Sequence, residues 1–141
     1  MEPGAIADYM STEFAVITPD MPVDVASAKL IQKEMLGGPV VDDAGRLVGW
    51  ISEQECLHIT IQVVYYNQRV ATVRDVMRTD VLTVSPNDHP LELAQQMLSK
   101  TPKPKNYPVV DRHNKVIGVI SRRHMLKMLL RKMAEQSKKP A

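Results

Sequence analysis

A fourteen-residue segment occurs twice in this chain, and that repetition restricts the fold more than any other feature. Pro39 to Ser52 reads PVVDDAGRLVGWIS and Pro108 to Ser121 reads PVVDRHNKVIGVIS, with seven of the fourteen positions identical. An echo at a nearly constant spacing marks an internal repeat, whose copies fold alike and bury their apolar faces together. Each copy reads as a β-hairpin. Pro-Val-Val opens an apolar strand, Asp43-Ala-Gly45 or Arg112-His-Asn114 turns the chain, and a second apolar strand ends in a serine. Gly45 and Asn114 are residue types that accept the positive φ of such a turn.

The repeat extends to both sides of the hairpin. Ile6-Ala-Asp-Tyr-Met10 is echoed by Val73-Arg-Asp-Val-Met77, each a short helical turn. Phe14–Thr18 and Val81–Ser85 read as strands, closed by Pro19 and Pro86, which cannot donate to a ladder. Asp20-Met-Pro-Val-Asp24 and Asn87-Asp-His-Pro-Leu-Glu92 are helix starts, with proline at the first turn and acids close by. The first helix is expected to run through Val25, Ala26, Ala28, Leu30 and Ile31 to Met35, the second through Leu93, Ala94, Met97 and Leu98. The spacing between copies grows from 67 (Ile6 to Val73) to 68 (Pro22 to Pro90) to 69 (Pro39 to Pro108). Two single-residue insertions at loops or helix ends explain the drift. Leu36–Gly38 and Thr101–Tyr107 are the least alike segments.

A helix is expected after each closing serine. Arg122–Met133 is plainly helical in pattern. Glu53–Tyr66 holds Ile, Thr, Val and Tyr residues that suit a strand by propensity, but its place in the repeat makes it a helix. A helix apolar on more than one side is buried on more than one side, so a partner subunit is expected there.

The organisation that follows is a first motif at 1–66, a linker at 67–72, a second motif at 73–134 and a polar tail at 135–141. The fold class is α/β in the mixed, α+β sense: two pseudo-twofold-related motifs, each with a small, mostly antiparallel sheet and two packed helices. A unit of about 60 residues is marginal alone, so the two pack together.

Composition excludes several classes. The net charge of +2 and the 4% aromatic content weigh against nucleic acid, leaving only the basic last helix in its favour. The one cysteine, Cys56, rules out a disulfide framework and suits a reducing compartment. The N-terminus lacks the pattern of a secretory signal, and no apolar run is long enough to span a bilayer. A cytoplasmic protein without membrane contact is expected. His58, His89, His113 and His124 show no metal-ligand spacing, and no glycine-rich phosphate loop occurs. Neither catalytic residues nor a metal nor a required cofactor is expected, and Asp42-Asp43 is explained by the turn.

The doubled pattern resembles the CBS domain, named after cystathionine β-synthase, in a stand-alone tandem pair (a Bateman module). The resemblance rests on Thr18-Pro19 and Ser85-Pro86, on Pro-Val-Val-Asp at 39–42 and 108–111, and on the Gly-Trp-Ile-Ser and Gly-Val-Ile-Ser that follow. It spans about Ile6 to Leu130. It implies two clefts between the copies and a homodimer formed through the helices. It also implies AMP, ADP or ATP as ligand, with Mg²⁺ beside ATP, and a sensor acting on an unknown protein partner. The site residues it implies are Thr18 and Thr83 on the leading strands, with Gly37, Gly38, Pro39, Asn106, Tyr107 and Pro108 beside the base. Ser52, Glu55, Ser121 and His124 follow at the helix starts, and Arg122 and Arg123 near phosphate. The family's ribose reader is an Asp three residues after the closing Ser or Thr. Here Glu55 stands in one copy and His124, a poorer acceptor, in the other. One adenine nucleotide per module is expected, with Glu55 on the ribose and Arg122 or Arg123 on the phosphates. Each residue also has a plainer role: Gly37-Gly38 can end a helix, Ser52 and Ser121 can cap helices, and the arginines can belong to a solvated basic face. A ligand-free dimerisation scaffold is the alternative function.

Overall fold

Two β-hairpins, one from each copy, join at their turns. In the computed structural model, which describes residues 5–99 and 106–137, β1 (Gly37–Val41) pairs antiparallel with β2 (Leu47–Ser52). β3 (Asn106–Val110) pairs likewise with β4 (Val116–Ser121). The registers match copy for copy: Gly37 faces Ser52, Asn106 faces Ser121, and the ladder shifts after Val40 and after Val109. Gly45 takes φ +79° and Asn114 φ +62°, as the turn requires. Leu47 N–H donates to the Asn114 carbonyl at 2.9 Å and Val116 N–H to the Gly45 carbonyl at 3.0 Å. This reciprocal pair is what a pseudo-twofold axis between the hairpin tips demands.

The helices are α1 (Val23–Gln32), α2 (Glu53–Tyr66), α3 (Val73–Val76), α4 (Pro90–Met97) and α5 (Arg122–Ser137), with a 3-10 turn at Ile6–Asp8. α2 is helical despite its β-branched residues. Ser52 caps its start, and Asn67 ends it in the left-handed region at φ +53°. α1 stops short of Met35, because Glu34 turns the chain at φ +55° and Met35 N–H bonds back to the Leu30 carbonyl at 2.9 Å. Its buried stripe is Val23, Ala26 and Leu30, while Val25 and Ile31, expected on the apolar face, are exposed. The expected strands at 14–18 and 81–85 reduce to single parallel bridges, Ile17 to Val40 and Val84 to Val109. Pro19 and Pro86 follow almost at once and carry the chain out of the ladder. α5 continues through Glu135–Ser137, residues expected in the tail, since Met133-Ala-Glu-Gln is good helix-forming sequence. The expected tail beyond Ser137 and the loop residues 101–105 lie outside the described residues.

The core has two clusters. One gathers Ile17, Ala26, Leu30, Val40, Ile51 and Cys56, and the other Val84, Leu93, Tyr107, Val109, Ile120 and Met125. The leading turns are exchanged between them: Ile6 is buried in the second cluster and Val73 in the first. Glycines permit that exchange. A Cβ on Gly49 would lie 2.6 Å from Met77 Sδ, and one on Gly118 would lie 2.6 Å from Met10 Sδ. Each repeat thus closes the core of the other.

Candidate functional site

The exchange of leading turns creates a cleft that neither copy forms alone. Trp50 N–H donates to the Arg78 carbonyl at 2.8 Å, and Arg78 N–H returns the bond to Trp50 at 2.8 Å, so a strand of the first copy grips the lead-in of the second. Beside this junction opens a cavity of about 830 Å³. The first copy lines it with Leu36, Gly37, Trp50, His58, Ile59 and the helix start Ser52–Glu55. The second contributes Val76, Arg78, Asp80, Val81, Leu82 and Asn106. Gly37 is needed because the Trp50 indole lies over it, with Nε1 2.7 Å from where a Cβ would be. The second copy has Asn106 and Val119 at the matching places, a larger residue where the first has glycine and a smaller one where it has tryptophan.

The helix start joins structure and recognition. Ser52 Oγ accepts from Glu55 N–H at 3.2 Å, and Glu55 Oε1 accepts from Ser52 N–H at 3.0 Å and from Ser52 Oγ at 2.9 Å. This is a capping box. Both bonds fall on Oε1, which leaves Oε2 on the cleft side chain as an acceptor for a ligand hydroxyl. The second copy builds the same cap from a different residue. Ser121 N–H donates to His124 Nδ1 at 2.9 Å, and His124 N–H donates to Ser121 Oγ at 3.3 Å. Nδ1 must be unprotonated to accept. Burial, then the Lys127 and Arg123 charges, hold His124 below the ordinary histidine value. Burial pushes the Tyr107 phenol up, partly offset by the Arg122 charge. Burial likewise raises the Cys56 thiol, against a hydrogen bond from Ser27, so it is a poor nucleophile.

Of the residues expected from sequence, Gly37, Ser52, Glu55 and Asn106 meet in this cleft. Gly38, Pro39, Tyr107 and Pro108 are buried in the hairpins behind it. Thr18 accepts from Met21 N–H at the approach to α1, and Thr83 is exposed one residue past Leu82; neither lines the cavity. Arg122 and Arg123, the first residues of α5, are not among the residues that line it either. His124 instead borders a small cavity of about 120 Å³ with Tyr9 and Lys127. Sequence reasoning missed Trp50, His58, Arg78 and Asp80. The last two come from the lead-in of the other copy, and no local pattern announces that exchange. Among the described residues no group of three or more His, Cys, Asp or Glu is placed to hold a metal ion.

A model of the CBS domain matches this chain twice, over residues 6–61 and 73–131. The chain belongs to the CBS domain family. Its pairing of two CBS domains is similar to CBSX2 from Arabidopsis thaliana, at 27% identity and TM-score 0.80, covering 93% of this chain and 97% of that one. CBSX2 in complex with AMP gives 27% identity and TM-score 0.78, with 92% and 98% covered. The CBS pair of MJ0100, solved with 5′-methylthioadenosine and S-adenosyl-L-methionine, has TM-score 0.73 over 91% of this chain and 97% of that one. At 20% identity that likeness is one of fold. Among curated proteins, the uncharacterized MJ1004 of Methanocaldococcus jannaschii is 30% identical over 128 residues, 88% of this chain and 56% of its own length. An L-aspartate semialdehyde sulfurtransferase of Methanosarcina acetivorans is 28% identical over 127 residues, 90% of this chain and 24% of its own. This CBS pair therefore spans between 22% and 63% of the length of the curated relatives it matches. No helix among its described residues is long and apolar enough to cross a membrane.

Proposed function

We propose that this CBS pair is a regulatory module that binds an adenosine-containing ligand in the first cleft and passes the change to a protein partner. The observation that carries the reading is the cavity itself. It is walled by Trp50, Leu36 and Leu82, with the Ser52–Glu55 helix start at its edge. Trp50 and the aliphatic residues offer an apolar place for a base, and Glu55 Oε2 offers an acceptor for ribose hydroxyls. The AMP complex of CBSX2, which is 27% identical to this chain, supports the ligand class. A buried free thiol at Cys56 suits a reducing compartment such as the cytoplasm.

α2 exposes Leu57, Val64 and Tyr65, and α5 exposes Leu126, Leu130 and Met133. These faces pair in a homodimer, whose shape the ligand alters only as far as it binds two shapes differently. Light scattering should give twice the 15.8 kDa chain mass; a monomer at micromolar concentration overturns the dimer.

A thermal-shift screen with adenosine derivatives tests the ligand. At about a hundred times its dissociation constant a ligand adds about 2.7 kcal/mol, a rise of several degrees for a domain of this size. No rise with any of them in folded protein defeats the sensor reading. It would favour a ligand-free scaffold, to which the closed Ser52–Glu55 cap and the apolar faces also lend themselves.

A further inference from the structure

α2 and α5 leave equivalent faces open. Ser52 and Ser121 end their hairpins at matching places, a spacing of 69 (121 − 52). By that spacing Leu57, Ile61 and Val64 of α2 are the counterparts of Leu126, Leu130 and Met133 of α5, and all six are exposed. Steps of three and four residues set each trio in one stripe. A symmetric dimer can join two such stripes in two ways. Either like meets like, α2 with the partner's α2 and α5 with the partner's α5, or α2 meets the partner's α5 twice over.

The stripes are too alike to choose between these arrangements, but their borders differ. Along α5 the exposed Arg122, Arg123, Lys127 and Arg131 border the stripe. Their counterparts on α2 are Glu53, Gln54, His58 and Gln62. The first turn of α5 holds no acid, and the ion pair seen among the described residues, Arg74 with Asp20, involves none of these groups. Joining α5 to α5 sets two rows of four cations side by side. Joining α2 to α5 sets each row against Glu53 and its neighbours instead. Where two arrangements share the same apolar contacts, like charges across the contact decide against one of them.

We propose that a second copy docks with α2 of each chain on α5 of the other, and that the basic border of α5 excludes the like-with-like arrangement. This rests on the homodimer reading above and assigns its arrangement: the first motif of each chain meets the second motif of its partner.

The test is disulfide linking between full-length chains. Ile61→Cys and Leu130→Cys are made as separate variants. Leu57→Cys with Leu126→Cys, and Val64→Cys with Met133→Cys, are made likewise. A disulfide forms only where two Cα atoms come within about 7 Å, so three levels along the stripe cover the place where the helices cross. Cys56 is buried, and the unaltered chain is the blank. Each variant alone, and each pair mixed and equilibrated under reducing conditions, is oxidised with copper phenanthroline. Linked chains are read at twice the chain mass on a non-reducing gel. An α2 variant should link to its α5 counterpart in the mixture at one or more levels, and neither should link to itself. Self-linking as strong as linking in the mixture overturns the arrangement and leaves the homodimer standing. No linking in any mixture overturns it too, and light scattering then tells whether a dimer built on other surfaces remains. A monomer in light scattering removes the homodimer reading and this arrangement together. The role of charge has its own variant. Arg122→Glu, Arg123→Gln, Lys127→His and Arg131→Gln together give α5 the border of α2, and in that background Leu130→Cys should begin to link to itself if Ile61→Cys and Leu130→Cys are the pair that links. The same swap is applied to whichever α5 cysteine links. Continued absence of self-linking refutes selection by the border.

Discussion

Leu30 of α1 and Met97 of α4 hold the same place in the two copies: the helices bury Val23, Ala26 and Leu30 and Pro90, Leu93 and Met97 at the same steps, at a spacing of 67 rather than the 68 expected from Pro22 and Pro90. Both residues are buried, but what faces them from the neighbouring strand differs. In the first copy a glycine, Gly38, faces Leu30, Ile17 and Met35, and a Cβ there would come within 3.2 Å of Leu30. In the second copy Tyr107 stands at that position, 1% exposed, and fills the core with its own ring. Met97 packs in the same cluster as Tyr107. Equivalent positions in a repeat inherit the backbone, while different side chains supply the volume that fills each core. The helix starts differ in the same way. Ser52 and Ser121 keep the cap, while the residue three places on changes from Glu55 to His124, and the charges around it reverse.

The sharpest way to break this comparison is to truncate the helix residues that meet the strands. Leu30→Ala and Met97→Ala should each cost about 2–5 kcal/mol, and Leu98→Ala, one residue on and exposed, no more than about 0.5 kcal/mol, read from urea unfolding. A loss at Leu98 equal to that at Met97 would refute this register of the two helices.

Next come the glycines that let each copy receive the other's lead-in. Gly49→Ala and Gly118→Ala should each cost about 1–3 kcal/mol by overpacking. Gly49 should lose more, since a Cβ there also meets the Arg78 carbonyl at 2.7 Å, against 2.9 Å from the Ser11 carbonyl at Gly118. A stability unchanged in either variant would show that the lead-in is free to shift.

A smaller effect separates the two caps by pH. His124 is held below its ordinary value of 6.5 in the folded chain, so the unfolded chain takes up the proton first as pH falls. The His124 cap should therefore contribute fully above that value and fade as pH drops below it. The loss should be about 1 kcal/mol, the usual size of a cap. His124→Glu, which recreates the capping box of the first copy, should flatten that part of the curve in melts at descending pH. An unchanged slope would place the pH dependence elsewhere.

The smallest effect is at Tyr107, whose buried hydroxyl has no hydrogen-bond partner among the described residues. Tyr107→Phe should leave the melting temperature unchanged or slightly raised, because it removes a desolvated group without a partner. A clear loss would reveal a bond that the hydroxyl makes.

Most of the fold was legible in the residues themselves. The hairpin turns follow from Gly45 and Asn114, the helix starts from Ser52 and Ser121, and the kinship of α2 with α5 from the repeat. Less of the site was legible. Glu55, Ser52, Gly37 and Asn106 could be named because the repeat and the family resemblance mark those places. Arg78 and Asp80 could not, because they reach the cavity from the lead-in of the other copy.

What the sequence alone determined, then, is local: turn conformations, caps, the pairing of each hairpin and the doubling of the unit. Each depends on residues within a few positions of one another, where φ preferences and side-chain bonds decide the outcome. Tertiary structure alone decided that Ile6 packs in the second core and Val73 in the first, and that Trp50 meets Arg78 across the copies. It also set Glu53 and Asp80 around one cavity. Those contacts join residues far apart in the chain, and apolar burial, which drives them, has no direction of its own. Shape and glycine-sized gaps at Gly49 and Gly118 choose the partner.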